Sequence, residues 1–258
     1  MSGSALSSWA VTEHPRYYTK KLAELVNCSR YIDDSPKLLA CFKVKPASLL
    51  VNMSAQIRAP KYLSSFGPVV QTSVLPDSVT GLMHRAMGSG RTCELFTGVM
   101  KNEGLSYLSE RQLQKGIAPI DEKKLLRTYV NNIYSYHRQR IFDVIRHHYT
   151  AWDRESNNET IRDGVIEMLG DSQYVAPALD LARRHAQIAD TYFYTFTYPS
   201  RLESYPRWAG GAHGEDLFYV FGAPLADGIK PFPSSYTRTE RMLSEGVMRY
   251  WSNFIKTG

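Results

Sequence analysis

Long apolar runs are missing from this sequence. Nothing in it approaches the roughly eighteen uninterrupted apolar residues that a membrane-crossing helix needs. The N-terminal stretch Met1 to Ala10 has neither a basic start nor an apolar centre, so it does not read as a signal peptide. Taken alone, those two absences suggest a cytosolic protein. No phosphate loop or dinucleotide fingerprint is present. No G-x-S-x-G occurs either, and the serines of SGSALSS, residues 2 to 8, do not form a nucleophile elbow. Metal-ligand spacing is absent too. His147 and His148 are neighbours, which splays their side chains apart, and no carboxylate stands at ligand spacing from both. The residues imply no metal and no cofactor.

Cysteine is scarce. Cys28 and Cys41 bracket the polar loop SRYIDDSPKLLA, between two helix-like stretches. Two readings of this pair stay open. They are unrelated free thiols, which the odd total of three favours, or they form a local disulfide that contributes about 3 kcal/mol if unstrained. Cys93, in the apolar run CELFTGVM, reads as a buried strand thiol.

Acidic residues fall short of basic ones, leaving a formal net charge of +6. The excess clusters in HRQRIFDVIRHH, residues 137 to 148. A solvated helix face accounts for it better than nucleic-acid binding, because no RNA- or DNA-reading motif accompanies the charge. Repeats, low-complexity tracts and linkers are absent, so residues 1–258 read as one continuous unit.

What is present is an ordinary globular composition, 43% hydrophobic, with enough apolar residues to bury a core. Strand-like and helix-like segments alternate, which argues for an α/β protein. A first helix is expected over Tyr17 to Val26, with Pro15 tolerated just ahead of it. Asp34, Ser35 and Pro36 read as the cap and first turn of a short helix ending near Phe42, and Pro46 opens another. PVVQTSVLP, after Phe66 and Gly67, reads as extended. VTGLMHRAM is helix-like and precedes the strand CELFTGVM. From Glu122 to Ala189 helical periodicity dominates, with Leu125, Tyr129 and Ile133 on one stripe and Ile141, Ile145 and Tyr149 on another. TYFYTFT, residues 191 to 197, has the composition of a strand covered on both faces. The last helix is expected over Thr239 to Lys256. Thr237 and Glu240 stand at capping-box spacing, and Leu243, Val247, Trp251 and Phe254 form its apolar stripe.

Two short segments could carry chemistry. KNEG at 101–104 puts Glu103 on a turn directly after an apolar strand. AHGEDLFYVFG at 212–222 puts His213 on a glycine-flanked loop ahead of an apolar helix. An acid followed by a histidine, each after a strand, fits the last two places of the order nucleophile, acid, histidine. The carboxylate would fix the imidazole tautomer, and the imidazole would take a proton from a nucleophile. Each residue taken singly is as readily a solvated turn carboxylate or a loop histidine. Three N-x-S/T sequons stand at Asn27, Asn52 and Asn158, of which Asn52 and Asn158 are the better glycosylation candidates.

The segments MSGSALSSWAV, FGPVV, LFTGVMKNEG, QYVAPALDLARRHA, YFYTF, AHGEDLFYVFGAPL and MRYWSNFIKTG run in an order that resembles type-B carboxylesterases and cholinesterases. Within that superfamily, SALSSWAV, YVAPA and AHGEDLFYVFG look most like neuroligins, the esterase-like adhesion proteins of synapses. Related non-catalytic members such as gliotactin share much of the pattern. The resemblance implies an α/β-hydrolase fold of which only the C-terminal part is present, mixed-sheet strands with flanking helices. It implies a Cys28–Cys41 disulfide. It matches Glu103 and His213 to the triad acid and histidine, with the nucleophile position upstream of Met1. Neuroligins keep those two positions but replace the serine. The resemblance also implies a cell-surface setting, a homodimeric full-length parent, and a neurexin-like partner. That contact is calcium-assisted and involves the loop of Lys101, Asn102, Glu103 and Leu105.

Two departures accompany the resemblance. Ser200 and Ser234 stand where vertebrate neuroligins carry a second cysteine pair. Lys101 and Asn102 replace a neutral Gln–Gly pair in the partner loop, which argues against tight neurexin binding. The expectation is a non-catalytic, neuroligin-like adhesion module. Its rival is a serine carboxylesterase whose nucleophile lies in upstream sequence.

Overall fold

The computed structural model describes residues 3–87, 93–199, 205–206, 208–226 and 235–258. Ser200 and Ser234 lie outside them. The chain opens with three helices around the cysteine loop: α1 (Pro15–Leu25), α2 (Ser35–Lys43) and α3 (Ala47–Ser54). Local chemistry sets their starts. Pro15 supplies the first turn of α1, and the Asp34 side chain accepts from the Lys37 amide to cap α2. Ala23, Val26, Cys28 and Leu38 form a small core here, and the Cys28–Cys41 disulfide ties its loop together.

Residues 68–76 form no strand. The backbone bends repeatedly, Gln71 takes a left-handed conformation, and the Leu75 amide donates to the Thr72 hydroxyl. With a proline at each end and Val74 83% exposed, the run has neither a partner strand nor a core to face. The helix α4 (Val79–Met87) follows, and then β1 (Leu95–Met100). Cys93 precedes this strand and is exposed, not buried in it. The run reaches the interior from Thr97 onward, where Thr97, Gly98, Val99 and Met100 are all buried.

Five helices occupy the middle of the chain: α5 (Glu110–Lys115), α6 (Pro119–Ile133), α7 (Arg138–Tyr149), α8 (Asn158–Gly170) and α9 (Ala176–His185). The apolar stripes of α5 to α8 meet in the largest core cluster, which contains Leu113, Leu126, Tyr129, Val130, Phe142, Val165 and Leu169. The chain then enters β2 (Thr191–Phe196), followed by α10 (Asp216–Val220) and α11 (Arg238–Thr257). The Thr237–Glu240 capping box is formed at the start of α11. Its inner face brings Leu243, Val247 and Trp251 onto a third core built from Met100, Phe196 and Tyr219.

Among the described residues β1 and β2 pair in parallel, Leu95 opposite Thr191 through to Met100 opposite Phe196. Parallel pairing needs a crossover, and the helical middle of the chain supplies it. Gly98 is required in this ladder. A Cβ there would sit 2.4 Å from the Tyr194 ring and carbonyl. β2 is not covered on both faces. Tyr192 is 46% exposed, and Phe196 is the one buried residue of the strand. The ladder ends at Met100 and Phe196, and both loops of interest leave from that end.

Candidate functional site

Immediately past β1 the backbone is stitched to two places at once. The Lys101 amide donates to the Phe196 carbonyl (3.0 Å), continuing the ladder by one rung. The Asn102 amide donates to the Gly211 carbonyl (3.0 Å), and its side-chain amide donates to the Gly210 carbonyl (2.7 Å). These bonds fasten the turn after β1 to the loop that carries His213. Gly211 takes φ of +76°, and a Cβ on it would press on Lys101, so the close approach needs glycine.

Glu103 begins a 3-10 turn, Glu103–Tyr107, laid against α8. Gly104 makes that packing feasible, since a Cβ there would meet the Ile166 carbonyl at 2.1 Å. The turn drives the Glu103 carboxylate inward, leaving the residue 1% exposed. One oxygen, Oε1, accepts from the Met100 amide at 2.8 Å, and the other, Oε2, lies 2.6 Å from Nδ1 of His213. The carboxylate therefore holds the proton on Nδ1 and leaves Nε2 with its lone pair, the tautomer of a general base. The His213 side chain keeps 31% of its surface exposed, so Nε2 is not sealed away by the described residues.

The His213 ring also packs on Tyr174, centroids 4.3 Å apart. Tyr174 stands on a π-helical turn, Asp171–Val175, inserted between α8 and α9. The wider turn rotates Gln173 and Tyr174 into the interior. The Tyr107 hydroxyl reaches that of Tyr174 at 3.5 Å, and burial pushes both phenols above their ordinary range. The N-terminal segment braces this turn. Ser8 donates to Gln173 Oε1 (2.9 Å), Ser4 donates to the Pro177 carbonyl (2.8 Å), and Trp9 packs on Tyr174. Behind His213, Glu215 accepts from the Gly211 amide and Asp216 accepts from the Tyr194 hydroxyl (2.7 Å). Both carboxylates are buried.

The structure thus brings Glu103 and His213 together and separates the loop candidates. Glu103 and Leu105 are buried, Leu105 completely. The 3-10 turn points both into the interior, leaving Lys101 exposed and Asn102 half-buried. Lys101 and Asn102 line an open cleft of about 380 Å³ shared with Asp163, Glu167, Asp171 and Trp208. Asn27, Asn52 and Asn158 are all exposed, Asn52 within α3 and Asn158 at the first position of α8. Among the described residues no group of His, Cys, Asp or Glu is placed to hold a metal ion, and no helix is long and apolar enough to cross a membrane.

Reading the sequence missed Tyr174, Glu215 and Asp216. Gly170 before the π turn and Pro177 just after it mark a break in helical rhythm, the one local signal for Tyr174. Glu215 and Asp216 gave none, because adjacent carboxylates ordinarily face water.

The family model described as the carboxylesterase family matches residues 1–258. Among curated proteins the chain is similar to neuroligin-2 of Homo sapiens, 36% identical over 261 residues, and to neuroligin-3 of Mus musculus, 34% identical over 261 residues. It is also similar to neuroligin-1 of Caenorhabditis elegans, 29% identical over 277 residues. Each match covers 100% of this chain. The chain spans 30% of the length of the human relative, 31% of the mouse one and 35% of the nematode one.

Proposed function

The chain belongs to the carboxylesterase family and has its α/β-hydrolase fold, and we propose that it serves as a neuroligin-like adhesion module, working by binding rather than by hydrolysis. The observation that carries this reading is the match to neuroligins along 100% of the chain at 34–36% identity for the vertebrate forms. In this reading the Glu103–His213 pair is a retained structural clasp, joining the turn after β1 to the loop after β2. The protein acts at the cell surface as a homodimer, with Asn52 and Asn158 as glycan sites and a neurexin-like protein as partner.

Lys101 and Asn102 are the accessible part of the partner loop. No cluster of His, Cys, Asp or Glu among the described residues would hold calcium by itself. An ion at this surface would therefore draw mainly on ligands from the partner. A lysine ammonium a few ångströms from a dication costs on the order of 1 kcal/mol in a partly solvated interface. The test is titration of immobilised neurexin with the full-length ectodomain and its Lys101→Gln variant, with and without calcium. The reading expects weak calcium-dependent binding, strengthened about fivefold by the substitution. Absence of binding by both proteins would count against a neurexin-like partner.

A second reading rests on a specific observation. The Glu103–His213 geometry is that of a working acid–base pair. A serine supplied by sequence outside these 258 residues would complete a carboxylesterase.

A further inference from the structure

Between α6 and α7, with Trp152 at one end, lies an open cleft of about 530 Å³. It shares no lining residue with the cleft beside Glu103. Three fixed cations line it: Lys123 and Arg127 from α6, and Arg146 from α7. Elsewhere in the chain arginines meet carboxylates closely, as Arg162 meets Asp163 at 2.8 Å and Arg184 meets Asp180 at 3.0 Å. Here they do not.

The guanidinium of Arg127 lies 4.4 Å from the centroid of the buried Phe142 ring and donates to the neutral Gln139 side chain at 3.3 Å. Gln139 in turn donates to Asp143, the carboxylate on the same rim. Arg146 lies over the Trp152 ring at 5.4 Å, and the indole N–H of Trp152 is anchored on the His147 carbonyl. Its nearest carboxylate, Glu122, also lining the neighbouring cavity, stands 3.8 Å from Nε, beyond hydrogen-bond reach. That Nε is buried and has no hydrogen-bond partner.

Stacking on an aromatic ring orients a guanidinium without neutralising it. Arg127, with no carboxylate partner among the described residues, and Arg146, loosely paired with Glu122, stand on facing helices with the Lys123 ammonium beside them and present fork-like donors. A tetrahedral oxyanion, which accepts on several oxygens and carries more than one charge, answers that arrangement better than a chloride or a single carboxylate. We propose that this cleft binds a phosphate- or sulfate-bearing ligand, independently of the adhesive surface.

The experiment is isothermal titration of the full chain with inorganic phosphate, inorganic sulfate, glucose 6-phosphate, acetate and chloride, all at matched ionic strength. Saturable binding in the millimolar range is expected for the tetrahedral anions and not for acetate or chloride. A sugar phosphate binding more tightly than the free ion would identify an ester as the natural form, and equal affinities would identify the free ion. Arg127→Gln and Lys123→Gln, both at exposed positions, should each weaken binding about fivefold. Arg127→Lys, which keeps the charge but loses the fork, should fall between. Arg183→Gln, an exposed cation on α9 outside the cleft, should bind as wild type. Heats no larger than the chloride control, or Arg127→Gln and Lys123→Gln variants binding like wild type, would overturn the proposal.

Discussion

Nδ1 of His213 stands 2.6 Å from Oε2 of Glu103, across 110 positions of sequence. The same carboxylate holds the Met100 amide with its other oxygen, so one buried side chain joins the end of β1 to the histidine loop. Removing it should loosen both. Glu103→Ala is expected to cost about 1–3 kcal/mol in chemical denaturation, the range for stranding a buried donor. Glu103→Gln should cost about 1 kcal/mol, since its carbonyl can still serve Met100. Its amide would face Nδ1 as a donor, moving the imidazole proton to Nε2. Nitrogen shifts of His213 should report Nδ1–H in the wild type and Nε2–H in Glu103→Gln. An unchanged tautomer would mean that Glu103 does not set it.

The Cys28–Cys41 bridge closes a loop between α1 and α2 around a small core. Replacing both cysteines by serine should cost about 3 kcal/mol if the bridge acts through the unfolded chain. Cys93 is free and exposed, so a thiol reagent should modify it in the native protein while leaving Cys28 and Cys41 unreacted. Peptide mapping without reduction checks the pairing. Finding Cys93 in a bridge would contradict it.

Tyr174 is 6% exposed and lies against Trp9, Tyr107 and His213. Tyr174→Ala would leave a cavity there and should cost about 3–5 kcal/mol, as for other buried aromatic truncations. Tyr174→Phe keeps the ring and loses one long hydrogen bond, so about 1 kcal/mol or less is expected. The His213 ring protons, shifted by the aromatic face, should move in Tyr174→Ala and stay nearly in place in Tyr174→Phe. Equal losses of stability in the two variants would show that the hydroxyl, not the stacked ring, matters.

Elements with a local cause were the ones legible in the sequence. Asp34 capping α2 and the Thr237–Glu240 box on α11 are chemistry confined to one turn. The stripe Leu243, Val247, Trp251 needs only one helix to make sense. Glu103 and His213 were legible as a pair through their order along the chain, though neither segment alone says that they touch. What escaped depends on distant contacts. An apolar run such as 68–76 becomes a strand only if another strand accepts it, and Cys93 stays exposed because β1 begins after it. The inward aim of Leu105 follows from Gly104 lying against the Ile166 carbonyl, a fact of packing between two elements. Tyr174 reaches His213 through a π turn, which breaks the periodicity on which helix reading rests.

In a neuroligin-like adhesion module, the function proposed above, the acid–histidine pair is a clasp and takes no part in hydrolysis. Covalent labelling by a fluorophosphonate probe tests this most directly, applied to the protein at its full natural length, secreted from eukaryotic cells. The proposed adhesion function predicts no labelling above a heat-denatured control, in the wild type and in His213→Ala alike, because an acid and a histidine form no acyl-enzyme unless a nucleophile stands beside them. Stoichiometric labelling of the wild type, lost in His213→Ala, would instead make the protein a serine hydrolase and contradict the account.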